Sequence, residues 1–196
     1  MKLVVGLGNP GSEYHTTRHN LGWLVLDASA KQCEAGEWRT ESTFESQLVE
    51  VRVGAERVLL AKPTTFMNNS GRAVAGIARY YKITPEDVLL VHDELDLPLG
   101  TLRLRLGGSA AGHHGVESVT HHMSTDHFWR LRCGIAPENR VEGGEGSRFV
   151  LAPFNESERP MVTQVVEQAS TIVYEALVSG ILTEATLSIP SVGGGE

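Results

Sequence analysis

The sequence predicts one compact α/β domain, a mixed central β-sheet flanked by helices. Three observations predict it. Apolar runs of strand length alternate with amphipathic helical stretches along the chain. Polar, glycine-rich segments fall where a strand hands over to a helix, which is where α/β proteins keep their chemistry. The 196 residues suffice for one core, with no internal repeat or linker dividing them. Residues 1–187 are expected to form the domain. Ser188–Glu196, polar and glycine-rich, reads as a disordered tail.

Each element has its own reason. Lys2–Gly6 is a short apolar strand. A helix follows over about Thr17–Gln32, with Leu21, Leu24, Val25 and Ala28 on its apolar face. Phe44–Val53 and Arg57–Ala61 read as the two strands of a hairpin turning at Gly54. After the Lys62–Thr65 connection, Val74, Ile77, Ala78 and Tyr81 mark the buried face of a helix ending at Lys82, because Ile83-Thr84-Pro85 breaks it. Asp87–His92 is apolar along its middle and suits a central strand. Leu102, Leu104 and Leu106 alternate with Arg103 and Arg105, the pattern of a half-exposed strand. Gly107–Gly115 is a glycine-rich loop, His114–Met123 a short helix, and Phe128–Ile135 another strand. The last helix carries an apolar stripe from Met161 to Leu177 and stops at Gly180.

Bulk properties narrow the function. No apolar run approaches the roughly 18 residues of a membrane span. Lys2 precedes only three apolar residues before Gly6, so no signal peptide is read. Cys33 and Cys133 have neither metal spacing nor a disulfide framework and fit buried thiols in a reducing cytoplasm. The net charge of −7 argues against a general nucleic-acid binder. Its distribution softens that. Residues 1–132 hold 14 basic and 15 acidic side chains, while residues 133–196 hold 3 and 9, so a local basic patch remains open.

Four segments resist a purely structural explanation: Gly6–Asn20, Lys62–Gly71, Val91–Gly100 and Leu106–Gly115. In the first, Gly6, Gly8 and Gly11 fit the dinucleotide fingerprint. That fingerprint needs the helix to start within the glycine loop and an acidic strand end about 20 residues on. Here the helix starts later, and Asp27 lies inside it. The better reading takes the glycines as loop-shaping and the polar side chains as working groups. A general base needs an imidazole whose tautomer a carboxylate fixes, and His19 with Asp93 supply that pair. Amides donate and accept without titrating, which suits Asn9 and Asn68 to carbonyl or oxyanion recognition.

Together the four segments resemble bacterial-type peptidyl-tRNA hydrolase, from Lys2 to about Phe154. The motifs G-L-G-N-P-G-x-x-Y-x-x-T-R-H-N, K-P-x-x-F-M-N-x-S-G, H-D-E-L-D-L-P and G-G-S-A-x-G-H-x-G occur in that family's order and spacing. The resemblance implies a compact α/β enzyme, monomeric, free of cofactor and metal, and cytoplasmic, with no membrane or obligate protein partner. It implies hydrolysis of the ester between a peptide and the 3′ ribose of tRNA, which recycles tRNA from prematurely released peptides. His19 would be the base and Asp93 its orienting partner. Asn9 and Asn68 would hold the peptide carbonyls and tRNA end, and Tyr14 and Met67 would line the cleft for terminal adenosine and peptide. Arg105 and Arg132, assisted by Arg103, would clamp the tRNA 5′-phosphate. Arginine suits that role, and a local clamp reconciles an acidic protein with a tRNA substrate.

The chain departs from the pattern in three places. His114, in the substrate-binding set, stands where the family usually has asparagine. Glu117 stands where a basic residue is common, and Ala111 replaces a glycine in the loop. These departures keep an alternative in view, a non-catalytic RNA-binding relative of the same fold like the plant organelle splicing factors. The retained His19, Asp93, Asn9 and Asn68 favour the enzyme. His121, His122 and His127 lack metal-site spacing, and Ser109 lacks the closing glycine of a nucleophile elbow.

Overall fold

The computed structural model describes residues 1–137 and 146–190. Among them are eight strands: β1 (Lys2–Gly6), β2 (Arg39–Glu41), β3 (Ser46–Val53), β4 (Glu56–Pro63), β5 (Val88–Pro98), β6 (Thr101–Leu106), β7 (Trp129–Ala136) and β8 (Ala185–Ser188). Five helices accompany them: α1 (Leu21–Gln32), α2 (Ser70–Tyr81), α3 (His114–Met123), α4 (Gly146–Val150) and α5 (Arg159–Ser179). The strands form one mixed sheet in the order β2-β3-β4-β1-β5-β7-β6-β8. The middle four are parallel, and the flanking strands on each side run antiparallel to their neighbours.

Strand alternation divides the core in two. On β1, Leu3 and Val5 face Val74 and Ile77 of α2 and Val116 and Val119 of α3. Val4 faces the other way, toward Val25 of α1 and Val165 and Val173 of α5. Central parallel strands covered on both faces must be apolar throughout, and β1 and the first half of β5 are buried along nearly their whole lengths.

Two glycines place α1. A Cβ on Gly22 would sit 2.4 Å from the Val91 carbonyl oxygen, and one on Gly6 would sit 2.4 Å from that of Gly22. Backbone oxygens cannot move aside, so only glycine lets α1 begin directly on the ends of β1 and β5. The glycines of the first segment therefore serve packing. Asp27, the acid a dinucleotide site would have needed, is instead 2.6 Å from the buried Lys62 ammonium, which also lies 4.1 Å from the Trp38 ring.

The differences from expectation have local causes. Arg18–Asn20 is a short 3-10 turn, and α1 proper starts at Leu21. Phe44 lies in another such turn, so β3 starts at Ser46. The hairpin turns at Gly54 with φ of 60°. Strand β5 does not end at His92; it continues through the acidic stretch to Pro98, with a register irregularity after Glu94. Strands β2 and β8 and helix α4 have no counterpart in the sequence reading. Both strands are exposed along their lengths, and at three and four residues they are too short for a periodic pattern to announce them. Strand β8 takes in Ser188, and Ile189 donates to the Gly100 carbonyl at 2.8 Å. The remainder of the expected tail, residues 191–196, lies outside the described residues.

Candidate functional site

Asp93–Leu95 in the middle of β5, His19 in the turn before α1, the loop before α3, and α4 enclose a cleft of about 180 Å³. His19 reaches it from the turn that leads into α1, and both its neighbours are anchors. Arg18 is buried. Its guanidinium donates to the Pro153 carbonyl at 2.6 Å and to Glu158 at 2.6 Å, and it stacks 4.2 Å from the Phe149 ring. Asn20 accepts from the Asn9 backbone N–H at 2.9 Å and donates to the Asn9 carbonyl at 3.0 Å. A turn pinned on both sides holds the imidazole between them in one place.

That imidazole faces Asp93. His19 Nδ1 lies 3.0 and 3.1 Å from the two carboxylate oxygens. Asp93 Oδ1 also accepts from His113 Nε2 at 2.9 Å. The tautomers follow from the partners. An ionised carboxylate only accepts, so Nδ1 of His19 and Nε2 of His113 carry hydrogens. Nδ1 of His113 lies 3.1 and 3.3 Å from the N–H groups of Gly115 and Val116, which makes this ring the N-cap of α3. Burial by itself would raise the Asp93 pKa. The charge His113 and His19 can carry, and the hydrogen bonds both donate, outweigh burial and hold the carboxyl below the usual carboxylate range.

His92 completes the cluster from below. It is fully buried, with Nδ1 2.6 Å from the Asp93 carbonyl oxygen. Burial first, and His113 beside it, push its pKa well below the ordinary imidazole value, so the ring is neutral. His19, Asp93 and His113 are also the one trio among the described residues whose ligand atoms converge as a metal site requires. They do not suit a metal, because both nitrogens of His113 are engaged with protein. His19 alone keeps a ring nitrogen, Nε2, free toward the cleft.

The amides are arranged for recognition. Asn9 Oδ1 accepts from the Met67 backbone N–H at 2.8 Å, which leaves its Nδ2 without a partner among the described residues. Asn68 is exposed in the turn before α2; Asn69 takes the N-cap position without a side-chain capping bond, so capping explains neither residue. Tyr14 meets Phe66 edge-on at 6.5 Å, and Phe66 is 57% exposed. Met67 is buried against Leu7 and Gly115, beneath the cleft rather than on its surface.

The arginines lie on one face of β6 and β7, since Arg103 pairs with Arg132 and Arg105 with Arg130. Their charges are not equally available. Arg132 is held by the buried Glu94 at 2.8 Å. Arg105 donates to Leu104 and Ala185 carbonyls at 2.8 and 3.0 Å. Arg130 is buried and spends its guanidinium on the carbonyls of Gly108 and Ser109, fastening the glycine-rich loop to the sheet. Arg103 has no hydrogen-bond partner among the described residues, and its Nε is buried without one.

His114 opens α3 at the cleft wall, and its Nδ1 is 3.1 Å from Glu117 Oε2. Two of the three departures from the family pattern are thus each other's partners. Ala111, the third, adopts φ of 50°, the conformation a glycine takes without strain. Ser109 accepts from the Ala111 N–H at 3.1 Å and has no imidazole beside it. His122 and His127 are engaged with the Ser118 carbonyl and Glu86. A second cavity of about 200 Å³, at the opposite end of the strands near Lys2 and Gly180, is lined by no imidazole, thiol or hydroxyl.

Sequence reading missed Arg18, Asn20, His113 and Arg130 as parts of the site. Arg18, Asn20 and His113 lie within the segments singled out and Arg130 on the strand after them; the partners of Arg18, His113 and Arg130 are distant in the chain, and that of Asn20 is the backbone of Asn9.

Comparison with known proteins gives a consistent result. Residues 3–190 match a family model described as peptidyl-tRNA hydrolase. A peptidyl-tRNA hydrolase of Aquifex aeolicus is 45% identical over 180 residues, 90% of either chain. One of Desulfitobacterium hafniense is 44% identical over 168 residues, 86% of this chain and 88% of that one. The crystal structure of peptidyl-tRNA hydrolase from Acinetobacter baumannii superposes with a TM-score of 0.84 at 33% identity, covering 92% of this chain and 89% of that one.

Proposed function

The chain belongs to the peptidyl-tRNA hydrolase family, and on that premise we propose how its residues cleave the ester between peptide and tRNA 3′ ribose. One observation carries the assignment: His19 directs Nδ1 at a buried carboxylate and keeps Nε2 free on the cleft. A water at Nε2 loses a proton to His19 as its oxygen attacks the ester carbonyl carbon. Asp93 fixes the tautomer and stabilises the imidazolium, and the hydrogen bond from His113 keeps Asp93 itself ionised and aimed. The Nδ2 of Asn9, with Asn68, donates to the peptide carbonyls and the developing oxyanion. Tyr14 with Phe66 offers an aromatic edge for the terminal adenosine or peptide, while Met67 shapes the floor from below.

Arg103, Arg105 and Arg132 form the phosphate-facing surface, with Arg103 the most available charge. No helix among the described residues is long and apolar enough to cross a membrane. Action in the cytoplasm as a monomer belongs to the same reading, and light scattering at working concentration tests the oligomeric part. The paired His19 and Asp93, together with relatives named as hydrolases, favour this reading over the non-catalytic RNA-binding alternative.

The test is release of free tRNA from an N-blocked lysyl-tRNA. His19→Ala should slow turnover by about a hundredfold or more, the ordinary weight of a general base. Near-normal turnover in that variant would remove His19 from the role.

A further inference from the structure

We propose that His114 and Glu117 form a second imidazole–carboxylate dyad on the cleft, in which His114 protonates the leaving 3′-oxygen. The proposal rests on the reading of His19 as the base. The reaction needs two proton transfers, one from the attacking water and one to the ribose oxygen, and His19 accounts for the first. A ribose alkoxide leaves poorly, so donation during C–O cleavage is where a general acid gains most.

The candidates for that donor are few. His113 has both ring nitrogens committed, to Asp93 and to the α3 amides. His92 is buried beneath Asp93 and does not line the cleft. His114 does line it, and Glu117 fixes its tautomer. The carboxylate accepts from Nδ1, which leaves Nε2 as the nitrogen for substrate. His19 and Asp93 divide their ring nitrogens the same way. The His114 side chain is 68% exposed, so it can exchange protons with solvent between turnovers. Among the described residues, the charged groups around it are Glu117 on its own helix and His19, Asp93 and Glu94 across the cleft; α4 contributes Gly146, Ser147 and Val150 to the lining.

The step balances. Water gives one proton to His19 Nε2 while its oxygen bonds the carbonyl carbon, and the π pair moves onto the carbonyl oxygen. As that pair returns, the bond from carbon to the 3′-oxygen breaks, and the oxygen takes the proton from Nε2 of protonated His114. The peptide leaves as an acid and the tRNA with a free 3′-hydroxyl. His19 releases its proton to solvent, and His114 regains one from it.

The experiment compares two peptidyl-tRNAs under single-turnover conditions. One ends in 2′-deoxyadenosine and the other in 2′-deoxy-2′-fluoroadenosine, whose fluorine makes the 3′-oxygen a better leaving group. With a proton donor in place, the wild type should discriminate little between them. His114→Asn should slow the deoxy substrate by about a hundredfold and the fluoro substrate distinctly less, so the rate ratio rises. Glu117→Gln should move the ratio the same way by a smaller amount. Both side chains are exposed, so neither variant endangers the fold. An unchanged ratio in His114→Asn overturns the acid role, whatever the absolute rate. A raised ratio there with none in Glu117→Gln overturns the dyad. Loss of the base reading would show separately, as retained turnover in His19→Ala.

Discussion

His92 and Asp93 are consecutive and share one buried site, yet they govern stability in different pH ranges. Asp93 has a depressed folded pKa, so its contribution is complete above the unfolded value of about 3.9 and is lost only as pH falls through more acid values. His92 is also depressed, through burial. Below about pH 6.5 the unfolded chain protonates this residue and the folded chain does not. The unfolded state then binds more protons, and stability falls as pH falls. Of these two residues, only His92 therefore contributes slope between pH 5 and 6.5. Urea unfolding should show the wild type losing about 2 kcal/mol between pH 7 and pH 5 from this residue. His92→Asn, whose amide can still donate to the Asp93 carbonyl, should flatten that dependence. Equal slopes in the two proteins would mean His92 is not held neutral. At this scale the sequence was legible where chemistry sits at a strand end beside a glycine loop, as with His19, Asp93 and Asn9. It was silent on His113, because an imidazole in the N-cap position is not a recognised start signal for a helix. It was silent on Arg18, whose partners lie at residues 152–158.

At the scale of elements, α2 contains its own control experiment. Gly71, the last residue of the second motif, and Gly76 share one helix. A Cβ on Gly71 would meet the Ser118 carbonyl oxygen at 2.0 Å, because α2 and α3 cross there backbone against backbone. A Cβ on Gly76 would meet nothing within 4 Å. Gly76→Ala should stabilise the protein by about 0.5–1 kcal/mol, the ordinary gain from removing a helical glycine. Gly71→Ala should destabilise it by about 1–3 kcal/mol, the usual cost of overpacking. It should also slow turnover, since prising α3 outward carries His113 away from Asp93. Denaturant melts of the two variants check both signs. Periodicity made the long elements legible: α2, α5 and β6 stand where the apolar pattern puts them. It failed for β2 and β8, which are only three and four residues long and exposed. It also ended β5 too early, at His92, whereas the strand runs on through Glu94, which is paired with Arg132 inside the protein.

A polyanionic substrate has to approach an acidic protein, and the phosphate-facing surface proposed for it is the arginine face of β6 and β7. Arg103 and Arg105 were legible from the Leu-Arg alternation and Arg132 only through the family resemblance, while their availability was not legible, because it depends on which charges the fold has already consumed. The resemblance favoured Arg105 and Arg132, with Arg103 in support. The structure reverses the availability. Arg132 is neutralised by a carboxylate that is itself 3% exposed, and Arg105 is tied to backbone carbonyls of its own strand and of β8, with Glu184 3.8 Å away. Arg103 lies between them with no partner among the described residues. A charge already compensated releases few counterions on meeting phosphate, whereas an uncompensated one releases nearly its full share. Arg103→Gln should therefore lower the magnitude of the slope of log K against log salt for tRNA binding by about one. Arg105→Gln should lower it by less. Arg132→Gln should act mainly on stability, costing about 3–5 kcal/mol, because it strands the buried Glu94 without a counter-charge. Filter-binding titrations across a range of salt, paired with urea melts, separate these outcomes. If Arg132→Gln flattened the salt dependence most while melting like the wild type, the clamp would run through Arg132 as the sequence suggested, and Glu94 would have to release it on binding.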